Sequence, residues 1–226
     1  MTSRSRLLVS IILIIAYWIF AVFSSQSDNI EPPGNLTAIV TSILFAKIVT
    51  LVILFLLLTF EGDSMHNLGF HSPGLSAQLL RGILFGIVIW LIIHIGLNPL
   101  IKYLLPENEL QRVNMAMYFR EFSNVLVWIP LVIFGGGFVE EFQRIFILTR
   151  FEKWLKTPGL ILSLVVSTIV FGMGHLYQGP NSAISAGASG LLFAMVYLRK
   201  RMAWEAVSAH AFYDVIGVVV GWMVAR

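Results

Sequence analysis

The sequence contains no cysteine, which excludes disulfides, thiolate zinc sites and a cysteine nucleophile while leaving the compartment open. It is also poor in charge. Only 12% of its 226 residues are Asp, Glu, Lys or Arg, against 58% hydrophobic, and the mean hydropathy is +0.85. A water-soluble domain of this length would lack the polar side chains to cover its surface, so lipid must cover it instead. The fifteen Lys and Arg, with a formal net charge of +3, are scattered between apolar runs rather than gathered into a stripe. That excludes a nucleic-acid surface and fits a topological use of the basic residues. Heptads, low-complexity tracts and a second soluble domain are likewise lacking.

What the chain does have is a succession of apolar runs near the roughly 20 residues needed to cross a bilayer. Spans are expected at about Leu7 to Phe23, Thr37 to Phe60, Leu79 to Leu97, Phe122 to Leu155, Leu160 to Tyr177, Asn181 to Leu198 and Ala203 to Ala225. The expected fold class is therefore an all-α polytopic membrane protein, a bundle of about seven transmembrane helices in one integrated membrane domain. The first run begins with Arg4 and Arg6, as a secretory signal would, but its length and the absence of an A-x-A-like cleavage site predict a retained anchor. A polar loop with Asp28, Glu31 and the turn Pro32-Pro33-Gly34 leads into the second span, which contains Lys47, a residue that can snorkel or face a neighbour. A loop with Glu61, Asp63, His66 and His71 precedes the third. Mixed charges and Pro106 between Asn98 and Glu121 predict a loop or a surface-lying helix. With the N-terminus cytoplasmic, the inner segments hold Arg4, Arg6, Arg81, Arg144, Arg150, Lys153, Lys156, Arg199, Lys200 and Arg201, and the outer ones Lys102, Arg112, Arg120 and Arg226. The bias predicts an N-in, C-out arrangement.

The ionisable residues inside these runs carry the functional signal. Gly135-Gly136-Gly137-Phe138-Val139-Glu140-Glu141-Phe142-Gln143-Arg144 sinks two adjacent carboxylates in an apolar run. Each costs roughly 2.5 to 3.5 kcal/mol at mid-membrane, so each needs a partner or a task. Neighbours on a helix point about 100° apart, so the two cannot share one role. Arg144 is four residues from Glu140 and three from Glu141, and either can be its partner. Phe171-Gly172-Met173-Gly174-His175 puts Phe171 and His175 on one face, with two glycines that permit close approach of another helix. His210-Ala211-Phe212-Tyr213-Asp214 aims an imidazole and a carboxylate from one face, a spacing suited to metal ligation or to a histidine with a carboxylate one turn away. Counting from a turn at Lys156 to Pro158 sets Glu140 and His175 nearly level across a hairpin. The same counting leaves His210 roughly 15 Å away, which requires a tilt, a late helix start or a break near Gly187 and Gly190.

In this order, Glu140-Glu141 with Arg144, Phe171-x-x-x-His175 and His210-x-x-x-Asp214 resemble the motifs of the CAAX protease and bacteriocin-processing family, intramembrane proteins that include the type II CAAX prenyl endopeptidases. The resemblance covers about Phe122 to Ala225, which divides the chain into N-terminal spans and loops (1–121) and a catalytic helix core (122–226) with the active site between the last four spans. In one respect the chain departs from the family pattern: two glutamates are followed there by three residues and an arginine, whereas only Phe142 and Gln143 intervene here. Either Glu140 is the first glutamate with Arg144 one position early, or Glu140 takes the second place. Glu140 is taken as the catalytic glutamate, since Glu141 can still pair with Arg144.

The resemblance implies hydrolysis of a peptide bond in a membrane-associated peptide or protein, prenylated in family precedent, with no nucleic-acid partner. Its site residues carry over as Glu140, Glu141, Arg144, His175, His210 and Asp214. Glu140, with His175, would activate a water, and His210 with the group at 214 would stabilise the oxyanion. Asp214 would have to be protonated or act through His210, because a bare carboxylate repels an oxyanion. A metal version stays open, in which His175, His210 and Glu140 hold a divalent ion such as zinc. A non-catalytic immunity or scaffold protein and a transporter are the competing classes. The absence of an internal repeat weighs against a transporter. His66, His71 and His94 are read as loop or packing residues, and Gln178 and Asn181 as residues at the mouth of the site, Asn181 alternatively as a helix N-cap. The expected location is a prokaryotic plasma membrane.

Overall fold

A computed structural model describes residues 2–25, 36–71, 73–106 and 118–225. The turn at Pro32 to Gly34, Asp28, Glu31, Arg112 and Arg226 lie outside the described residues. Bilayer interiors offer backbone groups no water, so a chain of apolar runs must close its hydrogen bonds within helices. The described residues contain helices and no strand. The elements are α1 (Ser3–Ser25), α2 (Leu36–Glu61), α3 (Leu75–Leu91), α4 (Asn98–Leu104), α5 (Phe122–Val132), α6 (Glu141–Met173), α7 (Pro180–Lys200) and α8 (Ala203–Val224). A π-helical stretch, Ile92–Leu97, joins α3 to α4, and another, Ile133–Glu140, joins α5 to α6. Six helical runs are long and apolar enough to cross a membrane. One of them, Phe122–Met173, is 52 residues long and breaks at Lys156, whose φ of 59° and ψ of −141° are not helical. Its two limbs fold back antiparallel, because the Arg144 guanidinium lies 4.5 Å over the ring of Phe171. The run therefore folds into two limbs, so the six apolar runs comprise seven helical limbs among the described residues, the number of spans expected.

The third span differs from expectation. It continues through the π-helical stretch to Leu104, so residues 98–104 prolong the third run, where a loop or a surface-lying helix is expected from the sequence.

The first limb of α6 is the axis of the bundle. Phe142, Ile145, Phe146, Ile147 and Leu148 are fully buried, which is why the turn from Ile145 to Leu148 is hydrophobic on every face instead of carrying one apolar stripe. Its second limb presents Ile161, Val165 and Ile169, four residues apart, to the lipid side. Lipid tails are as apolar as leucine, so helices in a membrane pack through close backbone approach at small residues. Gly86 of α3 lies against the Ala209 carbonyl of α8, where an added Cβ would come within 2.5 Å of the oxygen. Gly172 of α6 lies in the same way against Ala183 and Gly187 of α7.

One end of the bundle is clasped by charge. Arg150 is fully buried over Phe146 and donates to Asp63 at 2.7 Å, with Glu61 at 3.1 Å, while Lys153 also reaches Asp63. Arg201, at the turn between α7 and α8, donates twice to Glu152, at 2.7 and 2.8 Å. Burial opposes the charge on Asp63, but hydrogen bonds from Lys153, Asn67, the Ser64 N–H and Arg150 outweigh it and hold the carboxyl well below the usual carboxylate range.

Two outcomes follow for stability in detergent. Gly86→Leu, which overfills the α3–α8 contact, should cost on the order of 1–3 kcal/mol of thermal stability, whereas Gly96→Ala, with open space around it, should be neutral. Because the Asp63 carboxyl is depressed in the folded state, its stabilisation is present above its unfolded value of about 3.9 and is lost as pH falls through the lower folded value. The unfolding midpoint should therefore fall as the pH drops below about 4. Asp63→Asn should be less stable at neutral pH and show a shallower acid loss, as read from unfolding curves between about pH 3 and 7.

Candidate functional site

Three consecutive glycines prepare the ground for the site. Pro130 lacks the N–H that a regular turn would use, and the following stretch, Ile133–Glu140, widens into π-helix, a feature common at functional sites. Each glycine admits a different neighbour. A Cβ on Gly135 would lie 3.3 Å from Cε of Lys47, one on Gly136 would strike the Asp214 carboxylate and come within 3.5 Å of His210 Nε2, and one on Gly137 would come within 2.6 Å of the Ala211 Cβ. A side chain at Gly137 would push α8 away, and side chains at Gly135 and Gly136 would displace the Lys47 and Asp214 side chains from the site.

Glu140 and Glu141 then diverge, as neighbours on a helix must. Glu141 points inward, is fully buried, and pairs with both Arg144 and His210 Nδ1, the latter at 2.7 Å. A paired, ionised carboxylate only accepts, so Nδ1 of His210 carries the proton and Nε2 faces the other carboxylates. That nitrogen is 3.8 Å from Glu140 Oε2 and 3.5 Å from Asp214 Oδ2. The imidazole is clamped flat on Phe193, with centroids 4.3 Å apart. Arg144 is 3% exposed, so it is a core residue and not one of the interfacial cations counted for topology.

Glu140 points instead into open space. It lines two cavities, of about 300 and 460 Å³, and His175 lines both as well. His175 lies just past the end of α6, with Nδ1 2.8 Å from the Phe171 carbonyl. A carbonyl only accepts, so Nε2 is left as the basic nitrogen. His210 and Asp214 line the larger cavity. All six residues singled out from the sequence thus meet around one centre.

The depth of His210 comes from the turns and not from a broken helix. α7 is continuous through Gly187 and Gly190. Arg201 pairs with Glu152, four residues short of the Lys156 kink, so the α7–α8 turn lies about 6 Å inside the α6 turn. The close approach of Gly137 to the backbone of Ala211 shows that α8 itself is level with the site at His210.

Two residues lie closer to the site than their sequence context indicates. Lys47, read as snorkelling or facing some neighbour, donates to Glu140 Oε1 at 2.5 Å across 93 positions of sequence. His94 does pack, stacked on Trp90 at 4.5 Å, but it also lines the larger cavity with His175 and His210. The lysine's depth in an apolar run was the available signal; nothing in the local sequence names its partner. Gln178 and Asn181 line a third cavity at this end. Asn181 sits inside the first turn of α7, where Gly179 holds the cap position, and donates to the Leu105 carbonyl at 3.1 Å. His66 and His71 lie in the loop at the clasped end.

Residues 122–216 match the family described as type II CAAX prenyl endopeptidase Rce1-like. This segment belongs to the Rce1-like family. No curated protein and no solved structure matches the chain. The Rce1-like segment runs from the start of α5 into α8 and contains all six site residues; Lys47 and His94 lie outside it.

The fully buried Glu141 and the cavity-facing Glu140 should respond differently to substitution. Glu141→Ala strands the Arg144 charge in the core and should cost about 3–5 kcal/mol of unfolding free energy. Glu140→Gln should lose far less, as measured by denaturant unfolding in micelles.

Proposed function

We propose that the protein is an intramembrane endopeptidase that hydrolyses a peptide bond of a membrane-associated peptide or protein with water activated by Glu140. The observation that carries this reading is the division of the glutamate pair: one carboxylate is locked in the core by Arg144 and His210, and the next faces a cavity shared with His175. Membership of an endopeptidase family supports the same reaction class.

In this reading Glu140, helped by Nε2 of His175, takes a proton from water as the oxygen attacks the scissile carbonyl carbon, and later returns it to the departing amine. Glu141 and Arg144 position His210 by fixing which ring nitrogen bears the proton. With Nδ1 donating to Glu141, Nε2 of His210 has no hydrogen to offer the tetrahedral oxygen, so a protonated Asp214 is the donor that holds it and His210 serves to position the site. The metal-dependent alternative fits poorly. Among the described residues no group of three His, Asp or Glu side chains is set to hold a metal ion, and an ammonium already pairs with Glu140. Clustering of Arg150, Lys153 and Arg201 at the clasped end supports an N-terminus on the cytoplasmic side of a plasma membrane.

The test is cleavage of internally quenched peptides in liposomes, half of them ending in a farnesylated cysteine, by the purified protein. Wild type should cleave members of the set with or without chelator, and Glu140→Gln should lose about 10²- to 10⁴-fold in kcat/KM. His175→Ala and His210→Ala should be similarly impaired. Equal turnover by wild type and all variants removes the proposed site, and loss of wild-type turnover on chelation restores the metal alternative.

A further inference from the structure

The site as read from the Rce1-like segment has too little positive charge for its task. Peptide hydrolysis builds a negative oxygen, yet Glu140, Glu141 and Asp214 already surround His210. The Arg144 guanidinium cannot move to meet that oxygen: it is buried, paired with Glu141 and held over Phe171. One cation is differently placed. The Lys47 ammonium reaches Glu140 from α2, and its side chain is 23% exposed. Lys47, Glu140 and His175 together line both of the cavities that meet at the site. Gly135 leaves room for the stem of the lysine, since any Cβ there would press on its Cε and Cγ. An ammonium has three donors and a flexible four-carbon stem, so it can exchange one acceptor for another without moving its helix.

On the reading of the site as a peptidase, we propose that Lys47 is a catalytic residue: its ammonium pairs with the Glu140 carboxylate at rest and passes to the oxyanion as that carboxylate is neutralised. The step balances. The water oxygen bonds to the carbonyl carbon, the carbonyl π pair moves onto oxygen, and one water proton goes to Glu140. Negative charge leaves Glu140 and appears on the tetrahedral oxygen, and the ammonium follows it with no change in the charge of the site. On collapse the oxygen pair re-forms the carbonyl, the C–N bond breaks, and the Glu140 proton goes to the leaving nitrogen. This assigns chemistry to α2, outside the matched segment 122–216, and removes the need for Asp214 to face the oxyanion alone.

The experiment compares wild type, Glu140→Gln, Lys47→Met, Lys47→Arg and Lys47→Ala on the best-cleaved peptide, each first checked for its unfolding midpoint. Lys47→Met should lose about 10²- to 10³-fold in kcat with KM within about threefold. Lys47→Arg should recover part of the loss. Added methylammonium should restore turnover to Lys47→Ala in proportion to its concentration, an effect that a purely structural lysine would not give. A phosphinate analogue of the same peptide, which carries the tetrahedral oxygen as a stable anion, should raise the unfolding midpoint of wild type and not of Lys47→Met, a readout independent of turnover. If Glu140→Gln is dead while Lys47→Met keeps wild-type kcat or exceeds it, the lysine is a tie or a latch and the proposal is wrong while the peptidase reading stands. If wild type cleaves no peptide and the phosphinate shifts no midpoint, both fall together.

Discussion

Glu141 meets Arg144 and His210 in the interior of the bundle, and the arrangement of the other site residues depends on this contact. Charges removed from water are costly unless each finds partners. Here the partners come from two places: Arg144 stands one turn along the same helix, and His210 is carried in by α8. Arg144 also lies over Phe171, which ties the second limb of α6 to the first. Because Glu141 must point inward, the preceding residue must point elsewhere, and Glu140 emerges into the cavity. The carboxylate proposed to activate water is thus aimed by the packing of its neighbour.

Such a knot can form only if the helices come very close. Gly86 against Ala209 and Gly172 against Ala183 bring α3 to α8 and α6 to α7 at backbone distance. The run Gly135 to Gly137 does the same at the site itself, admitting Lys47, Asp214 and Ala211 at successive positions. The charged clasp around Arg150 and Asp63 lies at the opposite end, so the polar groups divide between an end that fastens the bundle and an interior that holds the proposed site.

The spans were legible because hydropathy over some 20 residues is a physical requirement of the bilayer. Their number came through even where helix follows helix without a break, since Lys156 and Pro158 marked the turn. The end of the third span was less legible: Asn98 and Lys102 read as a loop or a surface-lying helix, yet they continue the third run. The six candidate residues were legible as a set of motifs in order, and the fold gathers them. Their common depth was not, because counting at 1.5 Å per residue assumes that turns lie level, and only the Arg201–Glu152 pair reveals that they do not. Lys47 was the least legible of all. A lone lysine in an apolar run declares that it needs a partner, but a pairing across 93 positions is a property of the fold alone.

The central claim is that Glu140 activates water and does not itself attack the peptide. A single turnover with excess protein in ¹⁸O water decides it. The account predicts one ¹⁸O in the new carboxylate of the cleaved peptide and none in the protein. Label recovered in the Glu140 side chain after digestion and mass spectrometry would mean that the carboxylate forms an anhydride with the substrate, and would contradict the account.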